Sequence, residues 1–296
     1  MCDKDKKDVV HGALAKLTQK DVLRAASYIK EGKVYSLAVE TSAESHAMPG
    51  RFYQVLVDKI PMDGQTVYGE NQLTGYDDFI SLWCGVGTHM DGFGHVAVEG
   101  KHLGGLKSED VIGPRGAIEF GMETVPPIVT RGVMLDIPAL KGVDELEIGY
   151  EVTVQDIEDA CSRQGMEIEA GDVVLIHTGL IKTTKNDRPY IAHGHQAENL
   201  DGEPGIGLDA AIYLAEEKGV VVVGSDNWAI EVLPSPQQGS FLPVHDYLLT
   251  KAGIHLVENV WTRTLSEQKI YTFALIIAPP RFAGAVQAPV NPLAII

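Results

Sequence analysis

The chain holds only three cysteines among 296 residues, Cys2, Cys84 and Cys161, odd in number and far apart. That excludes a disulfide framework and leads us to expect reduced thiols in a cytoplasmic protein. Positive charge is scarce as well: 24 Lys and Arg face 41 Asp and Glu, a formal net charge of −17. Neutralising phosphates needs Lys and Arg, so no nucleic-acid partner is expected. An acidic surface also disfavours anionic membranes, and no apolar run reaches membrane-spanning length. The first eight residues are charged, without the apolar core of a signal peptide. Missing too are a Gly-x-Ser-x-Gly elbow, a Walker A loop, a dinucleotide fingerprint and a CxxC zinc ribbon.

What is present is an ordinary globular composition, 45% hydrophobic and 22% charged, long enough to bury a large core. No repeat, low-complexity tract or linker divides it, so residues 1–296 read as one domain behind a charged extension at 1–17. Thr18-x-x-Asp21 and Thr153-x-x-Asp156 have the form of capping boxes opening helices that close at Gly32 and Gly165. In the first helix, Val22, Ala25, Ala26 and Ile29 form the apolar stripe. Strands are expected at 34–39, 132–137, 172–178, 220–223, 254–257 and 270–278, and further helices at 208–218 and from about 242 to 253. Helices alternating with apolar strands over 153–258 give an α/β domain with a sheet at least partly parallel. Residues 41–79 lack periodicity but carry aromatics and glycines, which fits a lid, a contact arm or a surface meander with a strand near 53–57.

The chemistry concentrates in residues 83–95, Trp-Cys-Gly-Val-Gly-Thr-His-Met-Asp-Gly-Phe-Gly-His. Two imidazoles and a carboxylate lie within seven residues. In extended backbone His89, Asp91 and His95 point to one side. Such groups are expensive to bury without a partner, and a divalent metal is the usual one. A structural hydrogen-bonded His-x-Asp pair is the alternative. Cys84 reads as a small apolar residue rather than a nucleophile, since no basic residue adjoins it in sequence.

Gly87-Thr88-His89-Met90-Asp91 followed by His95 resembles the signature of the cyclase family of metal-dependent hydrolases, which includes kynurenine formamidases, isatin hydrolases and trans-dienelactone hydrolases. The run from His245 to Glu258 and Asn259 resembles the family's downstream His and Glu. The run at 223–228, Val-Gly-Ser-Asp-Asn-Trp, resembles its longer members. Two departures stand out. The first His of the signature falls at Gly85, and the family Pro is Phe93. The resemblance implies a compact fold of β/β/α units with a mixed sheet, as a homo-oligomer, dimer or tetramer. It implies a divalent metal, Mn or Zn, on His89, Asp91, His245 and Glu258, with His95 moving protons. One metal site is expected, and a second only through other ligands; His177, His193 and His195 are the candidates to replace the missing His.

The implied activity is hydrolysis of a small cyclic amide, imide or lactone, or of an N-formyl aromatic amide. A bound cation lowers the pKa of water from ~15.7 toward neutrality and polarises a carbonyl, and an imidazole suits the proton transfers near pH 7. A metal-assisted lyase or isomerase on the same residues, or a non-catalytic metal or small-molecule binding protein, are the alternatives. Asp226 reads as a structural or orienting carboxylate.

Overall fold

The computed structural model describes residues 9–43, 45, 50–61, 64–181, 183–185, 188–189 and 202–296. Its organising feature is a mixed nine-stranded sheet. Four parallel strands form the middle: β5 (Ile128–Asp136), β6 (Val173–His177), β7 (Val222–Ser225) and β8 (His255–Glu258). Beyond β8 run β4 (His89–Asp91) and β10 (Gln287–Pro289), each antiparallel to its neighbour. On the other side β9 (Thr272–Ile277), β11 (Leu293–Ile295) and β1 (Val34–Ser36) follow in turn, also antiparallel. The α/β fold and mixed sheet expected from sequence are therefore what the chain forms.

The middle strands are buried along their length, as their unbroken Val, Leu and Ile runs require of parallel strands covered on both faces. Both capping boxes form. Thr18 and Asp21 open the helix Gln19–Ala26, and Thr153 and Asp156 open Val154–Gln164, which ends at Gly165 in the left-handed conformation, φ 66°. Each such N-cap is worth about 1 kcal/mol.

Several boundaries differ from the sequence reading. The first strand stops at Ser36, and Ala38 makes only an isolated bridge to Val260. Strands expected at 220–223 and 254–257 pair instead as Val222–Ser225 and His255–Glu258, because register with β6 and β4 decides their ends. The helix at 208 runs to Ile212 and then widens into a π-type turn, Tyr213–Glu217. The stripe of the first helix is not a core face: Ala25 is buried, while Val22 and Ile29 stay exposed. Arg24 anchors that helix, meeting Glu169 at 2.9 Å and the buried Asp172 at 3.0 Å. Ala13 and Leu14 also enter the core, and the Ala13 N–H donates to the Gly253 carbonyl at 2.7 Å.

Within 41–79, β2 (Tyr53–Lys59) pairs with β3 (Tyr76–Leu82) as a hairpin separate from the main sheet. Val55, Leu56, Val57, Phe79 and Ile80 on it are all exposed. No helix among the described residues is long and apolar enough to cross a membrane.

Candidate metal centre and active site

Strand register assembles the site. On β4, His89 and Asp91 project to one face, and antiparallel pairing sets Glu258 of β8 opposite His89. On the other flank, Gln287 of β10 stands opposite Asp91. A helical turn, Pro243–His245, delivers His245 from the connection between β7 and β8. The four sequence-predicted ligands are thus brought together. His89 Nε2 lies 3.0 Å from Glu258 Oε2 and 3.6 Å from Asp91 Oδ1. His245 Nε2 lies 3.1 Å from Glu258 Oε1 and 3.8 Å from Asp91 Oδ2. All four side chains are buried. One donor atom each from His89, Asp91 and Glu258 falls within a 4.8 Å span.

His95 arrives differently from the extended reading. Strand β4 ends at Asp91, and a turn follows in which the His95 N–H donates to the Gly92 carbonyl at 3.0 Å. A side chain at Gly92 would meet the Met122 sulfur at 2.8 Å and the Val286 carbonyl at 3.0 Å, so this turn is open only to glycine. His95 Nε2 lies 3.5 Å from the Gln287 amide nitrogen, whose N–H donates to Asp91 Oδ1 at 2.7 Å.

Both proposed imidazole ligands have their tautomer set from behind. His89 Nδ1 faces the Gly87 carbonyl at 2.9 Å, and His245 Nδ1 faces Glu231 Oε1 at 2.8 Å. With the proton on Nδ1, each presents Nε2 to the cluster, as a metal ligand requires. Glu231 also accepts from the backbone N–H groups of Val244 and His245, fixing the start of that turn. Backbone strain collects here: Ile230, Leu242 and Asn259 have φ of 62°, 51° and 55°, beside Glu231, the His245 turn and Glu258. Such conformations persist only where surrounding contacts over-determine them, and they gather at functional sites.

Burial and mutual charge shift the groups of the cluster in opposite directions. Burial alone would raise the Glu258 carboxyl, but His89 and His245 outweigh it and hold it at about 2. Burial would lower His245, yet hydrogen bonds to Glu231 and Glu258 push it up to about 10. His89 is likewise raised, burial being overcome by Glu258 and Asp91. Asp91 Oδ2 has no hydrogen-bond partner among the described residues, and His89 Nε2, though near Glu258, lacks hydrogen-bond geometry. A buried set of two imidazoles and two carboxylates, with His89 Nε2 and Asp91 Oδ2 unpartnered among the described residues, fits a divalent cation such as Zn or Mn. His95 goes the other way: burial lowers its pKa, leaving it neutral near pH 7.

Other candidates have different roles. Asp226 does not face the cluster. It accepts from Thr178 N and Oγ1, both at 2.7 Å, and from Gly179 N at 2.9 Å, and it pairs with His177 at 3.0 Å. His177, so engaged and also 2.7 Å from Thr262 Oγ1, does not replace the missing first His. His193 and His195 lie outside the described residues. The space a side chain at Gly85 would fill is taken by the Arg51 guanidinium and the Gln287 amide. Cys84 is half-buried, and burial pushes its thiol up, away from the reactive thiolate. Glu231 and Gln287 escaped the sequence reading. The signal for both was a lone polar residue inside an apolar run, Ala-Ile-Glu-Val-Leu and Ala-Val-Gln-Ala-Pro. Glu203 is a third: fully buried, it accepts from the Trp228 and Ala229 N–H groups at 3.1 and 2.8 Å, and burial raises its carboxyl well above the usual range.

Comparison with known proteins agrees with this architecture. A crystal structure described as a novel cyclase is 27% identical, covering 99% of this chain and 98% of its own, with a TM-score of 0.85. Isatin hydrolase A from Labrenzia aggregata bound to benzyl benzoate is 20% identical over 91% of this chain and 94% of its own, at 0.62. A protein described as a predicted metal-dependent hydrolase from Bacillus stearothermophilus is 19% identical over 90% and 98%, at 0.52. At such identities the last two speak for the fold alone. No curated protein matches the chain by sequence. The family model described as Cyclase matches residues 19–232, most of the chain. Signature, fold and family match agree, and the chain belongs to the cyclase family.

Proposed function

We propose that the chain is a metal-dependent hydrolase that opens a small cyclic amide, imide or lactone, or cleaves an N-formyl aromatic amide. The observation that carries this reading is the buried convergence of His89, Asp91, His245 and Glu258, with His89 Nε2 and Asp91 Oδ2 unpartnered among the described residues, beside a His95 whose pKa burial lowers. A divalent cation held there, Mn or Zn, supplies Lewis-acid activation of water and of the substrate carbonyl. The chain's own residues do the rest. His89 and His245 present Nε2 through their backbone and Glu231 contacts. Gln287 holds Asp91 in place. His95 takes a proton from the attacking water and returns it to the leaving oxygen or nitrogen, a role its neutral form suits at pH 7. The chain's acidity and sparse cysteine support a cytoplasmic setting. The exposed apolar hairpin of β2 and β3 supports a homo-oligomer, because monomers seldom leave so large an apolar surface open.

Assays with formanilide, a lactam, an imide and a lactone, each with Mn or Zn and after chelation, test this reading. Turnover that requires the metal for at least one of them supports it. A metal-loaded protein inert to all of them would favour the lyase, isomerase or binding-protein alternatives.

A further inference from the structure

Gly85 stands where the family signature has its first His, and the position is not empty space. An ideal Cβ built there overlaps Arg51 Nη1, lies 3.0 Å from Arg51 Cζ and 3.3 Å from Gln287 Nε2. The guanidinium therefore occupies the volume of the missing side chain, against a buried backbone. Its one hydrogen bond among the described residues goes to the Gly85 carbonyl at 3.2 Å, and it forms no ion pair among them. Gln287, the other group at this position, donates to Asp91 Oδ1 at 2.7 Å, which ties the Gly85 position to the cluster. The result is a half-buried, permanently charged fork with most of its five donors uncommitted among the described residues, at the edge of the cluster. A guanidinium so placed has donors free to meet a ligand. Planar guanidinium is matched in shape by carboxylate, which it grips with two parallel hydrogen bonds.

We infer that Arg51 is the anion-recognising residue of the site, its guanidinium replacing the side chain at position 85 and receiving a carboxylate of the substrate or the carboxylate that hydrolysis releases. The inference rests on the hydrolase reading above. It makes Arg51 a specificity-determining residue and gives the substrate class a charge: acids, or cyclic compounds that open to acids. It also accounts for Gly85, because any side chain there would displace the guanidinium.

The test is calorimetric titration of the Mn-loaded protein with benzoate and with neutral benzamide, for wild type, Arg51→Lys and Arg51→Met, with metal analysis of each sample. Wild type should bind benzoate in preference to benzamide. Arg51→Met should weaken benzoate about 10–100-fold, the range for a charge-assisted hydrogen bond, with benzamide unchanged. Arg51→Lys should fall between, keeping the charge and losing the fork. Wild-type metal content with equal benzoate affinity in Arg51→Met overturns the Arg51 inference alone, as does a wild type that ignores benzoate. A wild type that holds no metal overturns the hydrolase reading instead.

Discussion

Two buried pairings of histidine and carboxylate sit at the carboxyl ends of the parallel strands, and they are built to opposite ends. His177 and Asp226 follow β6 and β7; the His89, Asp91, His245 and Glu258 cluster gathers at the end of β8. Asp226 has both oxygens filled by protein, from Thr178, Gly179 and His177. Asp91 has one oxygen held by Gln287 and one without a partner among the described residues. The same residue types, at equal burial, thus make a closed structural pair in one place and an open one in the other. What separates a ligand set from a structural ion pair is the number of valences the protein leaves unfilled.

This contrast can be broken at either cluster. The largest effect is expected at His95, which has no carboxylate within ion-pair distance among the described residues, unlike His89 and His245. His95→Ala should lower turnover by about 10²–10⁴-fold while metal content stays at the wild-type level. Parallel loss of metal would make His95 a ligand and enlarge the open set.

At the closed pair, Asp226→Asn should destabilise the fold by about 3–5 kcal/mol, read from denaturant unfolding, because it leaves His177 buried without its counter-charge. Metal content should not change. Both pKa shifts set the pH window. Asp226 is lowered, burial being outweighed by His177, so its contribution is present above about pH 3.9 and is lost as pH falls through the depressed value. His177 is raised, burial being outweighed by Asp226, so its contribution is full below about pH 6.5 and is lost as pH rises through the raised value. The stability gap between wild type and variant should therefore be widest between about pH 4 and 6.5 and narrow on both sides. A gap independent of pH would show that packing, not charge, holds this pair.

The smallest effect is expected from Glu231→Gln, which keeps the size of the group behind His245 but removes its charge. Metal affinity should fall about 10–100-fold, as it does when a partner that orients a ligand is weakened. An unchanged affinity would mean that the turn at Pro243–His245 positions His245 without help.

The parts of this site that were legible in the sequence are those carried by local spacing. His89 and Asp91 share a strand face because two residues separate them, and the capping boxes at Thr18 and Thr153 are complete within four residues. Bringing His245 and Glu258 to the same point needed the family resemblance, since nothing local ties residue 245 to residue 89. Glu231, Gln287 and Arg51 were illegible for a stronger reason. Their roles exist only once β10 registers against β4 and once residue 51 reaches Gly85, contacts between residues tens to hundreds of positions apart. The first helix shows the reverse error. Its apolar spacing suggested a core face, but the ion pairs of Arg24 govern how it docks and leave Val22 outside.

The central claim is that the open cluster holds a cation. Metal analysis of the purified chain, prepared without chelator or a metal-affinity tag, tests it most directly, with His89→Ala and His177→Ala measured beside wild type. The account predicts about one equivalent of Zn, Mn or a similar divalent ion in wild type and in His177→Ala, and its loss in His89→Ala. A folded wild type that neither contains such a metal nor takes one up would contradict it.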